Sequence, residues 1–479
     1  MRVWLLNPPS PDGDRFMREG RCTQRSSFWG TLWPPVTLAY LTAIAKSAGH
    51  EARLVDAPAK HMTIEAARSA IRGFEPDLCV VAVSTPSYAG DMGAIHRLKS
   101  ERPASRFAAI GVHASARDAE VLTDCHALDF VIRGETEGTI APLLDALQHG
   151  MPRDVAGITF RDGDDIVRNP DRAFVADLDS LPMPDWSDVG PRDYRLPFSR
   201  RRFLCLAPHR GCPYSCSFCT APAHYGHRVR RRSVANVVAE LRRNLVELGV
   251  ADHFMWADTF TIDREYVLDL CGGIVDSGLR VRWTCNSRLD TVDEEMLEAM
   301  AAAGCWMMSF GIESPDPVVL HCANKDPRTR DRRELLAPLA TARRVGIRTV
   351  AHFILGLPGD TPDTIRRTVS FARELPLDFA QFYAAAPFVG SRLHAQAERN
   401  GWLAPATSFA RMDQSHASLN LPGLPAREVE RVRRWARGRF YTRPSRIIRL
   451  AALSIAQLAP RLRGLVARPA FRRRGTVFE

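Results

Sequence analysis

The chain has 479 residues, 45% hydrophobic and 25% charged, an ordinary globular composition with room for two or three domains. No run of about 18 uninterrupted apolar residues occurs, and Met1-Arg2-Val3-Trp4-Leu5-Leu6-Asn7 is too short an apolar run for a signal peptide, so a spanning or secreted protein is not expected and a cytoplasmic location is. The net charge of +11 does not describe a basic protein: residues 427 to 479 hold fifteen Arg, no Lys and three acids, a local +12, and the remainder carries −1.

In chain order, short β-rich runs alternate with helical ones over the first 145 residues. Val3–Leu6 reads as a buried strand, Val36–Ser47 as a helix and Ala52–Val55 as a strand; Asp77–Ser84, Phe107–Ile110 and Phe130–Ile132 continue the strand series. This alternation predicts an α/β domain with a doubly wound, Rossmann-like parallel sheet, whose ligand lies beyond the carboxyl ends of the strands. The loops there are small and polar: Asn7-Pro8-Pro9-Ser10, Ser84-Thr85-Pro86-Ser87, Gly111-Val112-His113-Ala114 and Arg133-Gly134-Glu135-Thr136-Glu137. An insertion from Ser10 to Trp33, holding Phe16, Met17, Cys22, Phe28, Trp29 and Trp33, interrupts the rhythm and reads as a lid or a substrate wall. Residues 146 to 199 read as a connector with an Asp162-Gly163 turn and the Pro-spaced Leu181-Pro182-Met183-Pro184.

From residue 200 to about 395 the strand–helix rhythm returns in larger units. Six strands, at Phe203–Ala207, His253–Trp256, Val281–Thr284, Trp306–Phe310, Arg348–Leu355 and Phe379–Tyr383, predict a partial TIM-type barrel, with chemistry at the carboxyl ends of its strands. Those ends carry Cys212 to Cys219, then Asp258-Thr259, Asn286-Ser287-Arg288, Gly311-Ile312-Glu313-Ser314, Gly356-Leu357-Pro358-Gly359 and Pro387-Phe388-Val389-Gly390-Ser391. Residues 396 to 479 form a helical region ending in an Arg-rich tail. Ile447, Ile448, Leu450, Leu453, Ile455 and Leu458 beside arginines suit an amphipathic segment on an anionic membrane, or a solvated tail. No aromatic-interleaved basic module is visible, so a nucleic-acid partner is not expected.

Three of the eleven cysteines, Cys212, Cys216 and Cys219, fall within eight positions as C-x3-C-x-Phe-C, and Gly211 and Pro213 let the loop turn so that three sulfurs can converge on one metal centre. Three thiolates leave one corner open, unlike the four ligands of a closed structural site. The remaining cysteines are scattered singly, Cys79 in Leu78-Cys79-Val80 among them, and read as reduced buried thiols.

This loop, with Trp256-Ala257-Asp258-Thr259-Phe260, Ser287-Arg288, Gly311-Ile312-Glu313-Ser314 and Ile354-Leu355-Gly356-Leu357-Pro358-Gly359, resembles the radical S-adenosylmethionine (SAM) enzymes over roughly residues 1 to 440. The resemblance is to their subfamily with an N-terminal cobalamin (B12)-binding domain. It implies that Cys212, Cys216 and Cys219 hold three irons of a [4Fe-4S] cluster, with SAM chelating the fourth. Phe218, Asp258, Ser287, Arg288, Glu313, Gly356 and Pro358 then contact SAM: Phe218 near the adenine, Glu313 on the ribose hydroxyls, Arg288 with Ser287 on the carboxylate. The alternatives for single residues are an Arg288–Asp290 pair and Glu313 as the cap of the following helix. Pro34-Pro35-Val36-Thr37-Leu38 and the strand-end loops look like the cobalamin half, which implies Pro9, Ser84, Thr85, Gly111, His113, Gly134 and Glu135 as cobalamin contacts. The Asp-x-His-x-x-Gly loop that supplies an axial histidine elsewhere is absent, so cobalamin without a histidine ligand is expected, with His113 as a packing or tail contact. The resemblance further implies a reductant such as flavodoxin or ferredoxin, and a small-molecule, lipophilic or natural-product substrate methylated at an unactivated carbon. A radical oxidative cyclase, a tRNA-modifying enzyme, and a cobalamin sensor or electron carrier are the alternatives.

Overall fold

The computed structural model describes residues 1–11, 13–20, 23–25, 31–197, 199–325, 332–405, 407–444 and 446–447. Cys22, Phe28 and Trp29 of the insertion, and Ile448 to Leu458 with the Arg472–Arg474 run of the tail, lie outside the described residues.

The N-terminal half is built from β1 (Arg2–Asn7), α1 (Val36–Ser47), β2 (Glu51–Asp56), α2 (Ile64–Phe74), β3 (Leu78–Ala82), α3 (Tyr88–Glu101), β4 (Arg106–Ile110), β5 (Phe130–Ile132) and α4 (Glu137–His149). All five strands pair in parallel in the order β2-β1-β3-β4-β5. They are apolar on both faces because helices cover both, which is why Leu78-Cys79-Val80-Val81-Ala82 is buried at every position. Strand order reverses between β1 and β3, which opens a crevice beyond their carboxyl ends. The segment read as a connector joins this sheet: β6 (Ile158–Asp162) and β7 (Asp165–Arg168) form an antiparallel hairpin that extends it past β5. The rest of the connector packs Trp186, Val189 and Tyr194 into a core that also holds Phe203, Leu204 and Phe254 of the second half, so the two halves share buried surface.

The second half is a six-stranded, all-parallel sheet in sequential order. Its strands are β8 (Phe203–Leu206), β9 (Asp252–Met255), β10 (Arg282–Ser287), β11 (Cys305–Glu313), β12 (Arg348–Leu355) and β13 (Phe379–Ala384). Between β8 and β9 lie the short helix α5 (Ala221–Tyr225) and α6 (Val234–Val246), whose cap Ser233 accepts from the Asn236 amide. Helices α7 (Arg264–Asp276), α8 (Glu294–Ala302), α9 (Pro317–Cys322), α10 (Arg332–Arg344) and α11 (Pro362–Glu374) follow, and α12 (Ala426–Tyr441) packs back on β13 and α11. This is the partial barrel the rhythm predicts. Among the described residues no helix is long and apolar enough to cross a membrane.

Candidate active site

The cysteine loop leaves β8 and is pinned from several sides. Gly211 has φ +91°, and a Cβ there would lie 2.1 Å from the Arg228 carbonyl oxygen, so only glycine lets the two segments close. The Cys212 amide donates to Gly226 O at 3.1 Å and the Ser217 amide to Ala323 O at 2.8 Å; Ser217 O accepts from the Leu393 amide at 2.7 Å. The Cys219 sulfur accepts from the Ala221 amide at 3.4 Å, and the Cys212 sulfur lies 3.7 Å from Thr259 Oγ1. Cys212 is buried, while Cys216 and Cys219 are half-buried. Among the described residues no three His, Cys, Asp or Glu side chains are grouped tightly enough for one metal ion. A four-iron cluster binds each thiolate at a different corner and asks for a wider spacing.

Two charged residues on the barrel rim face this loop. Arg288 forks onto Asp290, with Nε and Nη2 at 2.8 and 2.7 Å, and its guanidinium stacks 4.0 Å from the Tyr214 ring centroid. Burial alone would lower its pKa; the Asp290 carboxylate, with smaller contributions from Cys216 and Tyr214, holds it above the usual arginine value. The Arg288–Asp290 pairing foreseen as an alternative is therefore present. Ser287 turns the other way, into a buried hydroxyl cluster with Thr261 and Thr291. Asp258 is half-buried beside Thr259 at the end of β9.

Glu313 ends β11 where the register with β12 shifts between Gly311 and Glu313, at φ +63°. Its Oε1 pairs with Lys325 Nζ at 2.7 Å, and its Oε2 is buried with no hydrogen-bond partner among the described residues. Lys325 also stands 5.7 Å from the Phe218 ring centroid. Glu313 does not cap the next helix, since Asp316 does, accepting from the Val318 and Val319 amides. The Gly356-Leu357-Pro358-Gly359 turn is fastened by Asp360, which accepts from the Gly356 and Leu357 amides at 2.9 and 3.1 Å; burial pushes that carboxyl up to about 6. Pro358 is buried, and a Cβ on Gly356 would meet Val429 of α12 at 3.0 Å.

Across the crevice, Asn7, Arg18, Glu19, Thr37, Ala82, Gly111 and Thr136 of the N-terminal half face His224 of α5 around one pocket. A second, adjoining pocket is lined by Ser84, Thr85 and His113 on one side and by Thr220, Phe388 and Val389 on the other. Gly111 has φ +117°, and a Cβ there would lie 2.4 Å from Val83 O. His113 Nδ1 and Thr85 Oγ1 are 3.1 Å apart, and the ring packs on Tyr88 and Phe409; burial pushes its pKa down to about 3, so it is a neutral packing group. Pro9 is buried, outside the residues lining either pocket. The Gly134 amide donates to Ser115 Oγ at 3.0 Å. Glu135 is committed elsewhere: with Glu137 it anchors Arg210 at 2.7 and 2.8 Å, and it also takes Arg230 at 2.7 Å, all with side chains at most 6% exposed.

Several of these residues were not visible in the sequence. Arg18, from the insertion, is buried against Asp91 at 2.6 Å and donates to Asn7 Oδ1 at 2.9 Å. The insertion thus forms part of the crevice wall, and Trp33 meets Phe254 edge to face and Trp256 at a tilt. Lys325 and the Glu135–Arg210 group had no spacing signal, because their partners lie 12 and 75 positions away.

A crevice beyond a doubly wound sheet, closed by a barrel that presents three thiolates and a set of polar rim groups, defines a B12-type domain joined to a radical SAM-type barrel. Residues 206–372 match the Radical SAM superfamily and residues 29–144 the B12 binding domain. An uncharacterized methyltransferase of Pyrococcus horikoshii is 29% identical over 422 residues, which cover 88% of this chain and 90% of that one. The anaerobic magnesium-protoporphyrin IX monomethyl ester cyclase of Cereibacter sphaeroides is 28% identical, over 74% of this chain and 59% of its own length. Among solved structures, the radical SAM methyltransferase TsrM of Kitasatospora setae, with cobalamin and a [4Fe-4S] cluster bound, superposes with TM-score 0.67 at 19% identity, over 84% of this chain and 76% of its own. The chain thus carries a radical SAM domain and a B12-binding domain. It is an enzyme whose cofactors are SAM, a [4Fe-4S] cluster and cobalamin. The residues present fit these groups. Glu313 Oε2 is a buried acceptor without a partner among the described residues beside the cysteine loop, and Thr136 Oγ1 is a buried hydroxyl without one in the crevice wall.

Proposed function

We propose that this enzyme transfers a methyl group to an unactivated carbon of a small lipophilic or natural-product substrate. The observation that carries the reading is the placement of the crevice: α5 begins two residues after Cys219 and contributes His224 to the crevice wall, so the cobalamin seat and the cysteine loop adjoin. Bound there, the cluster and SAM supply a carbon-centred radical and cobalamin a transferable methyl group. The chain's own part is to bind, orient and exclude water. Cys212, Cys216 and Cys219 hold the cluster. Glu313, locked against Lys325, takes the ribose hydroxyls, and Arg288, held protonated by Asp290, faces the SAM carboxylate with Tyr214 under it. Phe218 and the Gly356–Pro358 turn flank the adenine.

Methyl transfer is favoured over oxidative cyclisation by coverage: the relative named a methyltransferase aligns over 90% of its length, the cyclase over 59%. Peripheral contact with an anionic membrane through the Arg-rich C-terminus belongs to the same proposal; Trp435 and Ile447 are exposed beside it, and co-sedimentation with anionic vesicles is its test. Flavodoxin or ferredoxin is the proposed reductant.

The test of the reaction is anaerobic reconstitution with iron, sulfide and hydroxocobalamin, followed by reduction with SAM and candidate substrates. Formation of both 5′-deoxyadenosine and S-adenosylhomocysteine supports methylation. 5′-Deoxyadenosine alone supports the cyclase reading. Neither product, with a Cys216→Ala protein behaving identically, overturns both.

A further inference from the structure

His224 sits in the crevice wall opposite the residues of the B12-binding domain, on a helix that follows the cysteine loop directly. It is 8% exposed, and its ring packs on Tyr225 at 4.2 Å between centroids. Its Nδ1 is buried with no hydrogen-bond partner among the described residues. Across the crevice, Thr136 is 1% exposed and its Oγ1 is likewise buried without a partner. A buried polar atom left unsatisfied costs free energy, and two residues of one pocket wall that each carry such an atom need an explanation. Burial, reinforced by the Arg210 charge, pushes the imidazole pKa down to about 4, so near neutrality the ring is uncharged, with one nitrogen a donor and the other an acceptor.

The two residues come from opposite halves of the molecule, so a ligand that satisfied both would have to bridge the crevice. The corrin ring of cobalamin is such a ligand, since its rim carries neutral carboxamide arms that each donate and accept. We propose that His224 is a cobalamin contact supplied by the radical SAM domain, which with Thr136 hydrogen-bonds the amide-bearing rim of the corrin and spans the two domains. His224 is in this account a positioning residue: it fixes the cofactor relative to the cysteine loop and does not bind cobalt. The inference rests on the cobalamin reading of the crevice and goes beyond it by assigning a residue outside the matched B12 segment.

The experiment titrates the cluster-reconstituted full chain with hydroxocobalamin by absorbance, and records the electron paramagnetic resonance spectrum of the cob(II)alamin form. His224→Ala and Thr136→Val are each expected to weaken binding roughly three- to tenfold, the range of one lost hydrogen bond. His224→Gln, which restores a donor and an acceptor, is expected to recover most of the affinity, and the wild-type spectrum is expected to lack splitting from an axial imidazole nitrogen. Iron content equal to wild type shows that the loop is intact; should His224→Ala fail to fold, His224→Gln set against His224→Leu decides. Equal affinity in wild type and all variants overturns the inference alone. Nitrogen splitting that disappears in His224→Ala overturns it in favour of cobalt ligation. A wild type that binds no hydroxocobalamin removes the cofactor reading beneath it.

Discussion

Glu313 adopts a backbone conformation that L-residues other than Asn and Asp seldom use, at φ +63°. Such a conformation costs about 1–2 kcal/mol and persists only where its surroundings impose it. Here they do: the register shift on β11 turns the side chain toward Lys325, and Gly311 leaves the space, since a Cβ there would lie 2.6 Å from both Glu313 Oε1 and Lys325 Nζ. The strain holds one carboxylate oxygen on an ammonium, while the other has no partner among the described residues. Glu313→Gln preserves shape but removes the charge, and a hydrogen bond to a charged group is worth about 1.5–3 kcal/mol. SAM affinity of the reconstituted protein, measured by equilibrium dialysis, is expected to fall roughly tenfold or more. An unchanged affinity would remove Glu313 from the SAM site.

At the scale of elements, the insertion matters through the helix it meets. Glu19 accepts from the Thr37 amide at 3.1 Å and the Thr37 hydroxyl at 2.6 Å, placing a half-buried carboxyl at the start of α1. Burial outweighs those bonds and raises its pKa from 4.5 to about 7. Between these values the folded chain holds a proton the unfolded chain has released, so this group's contribution to stability is present below about pH 4.5 and is lost as pH rises toward 7. The whole loss amounts to about 3 kcal/mol. Glu19→Gln is expected to flatten that part of the curve of urea midpoint against pH; a curve parallel to wild type would show that Glu19 ionises normally. The same element shows where sequence reading stops. Helix α1 was legible from its apolar run to the residue, Val36–Ser47, as was β12, Arg348–Leu355. The insertion's Glu19 and Arg18 were not, because no local period marks a side chain that folds back on a helix 18 positions on or an aspartate 73 positions on. For the same reason the thiolates, close in sequence, were readable as a site, whereas the Lys325 partner of Glu313 and the Arg210 partners of Glu135 and Glu137 needed the fold. The hairpin β6–β7 showed its Asp-Gly turn within what read as a connector, and only the fold shows the second strand and the sheet edge that the pair extends.

For the whole molecule, the junction between the halves is charged as well as apolar. Arg210 sits two residues before Cys212, buried between Glu135 and Glu137, with the Tyr40 and Tyr225 rings 5.0 and 5.1 Å from its guanidinium carbon. Removing one partner of a buried ion pair costs about 3–5 kcal/mol, because the other charge stays behind without compensation. Arg210→Met leaves the buried Glu137 without its ion partner and Glu135 with Arg230 alone. It is expected to lower the thermal midpoint by several degrees and to reduce both iron content and hydroxocobalamin binding in one purified protein. Loss of only one of the two would mean that the halves respond independently.

The shared core of Trp186, Tyr194, Phe203 and Phe254 bears on how such an enzyme can be taken apart. The B12-binding and radical SAM halves are recognisable as separate families, yet neither ends in a finished surface here. A barrel expressed from residue 200 onward would carry Arg210 and Arg230 without their carboxylates and an apolar wall without its cover; the N-terminal half would expose Glu135, Glu137 and the other side of that wall. The two families are modules in sequence and share one core in the fold, so swapping one half for that of a relative means exchanging the buried charges and the connector with it.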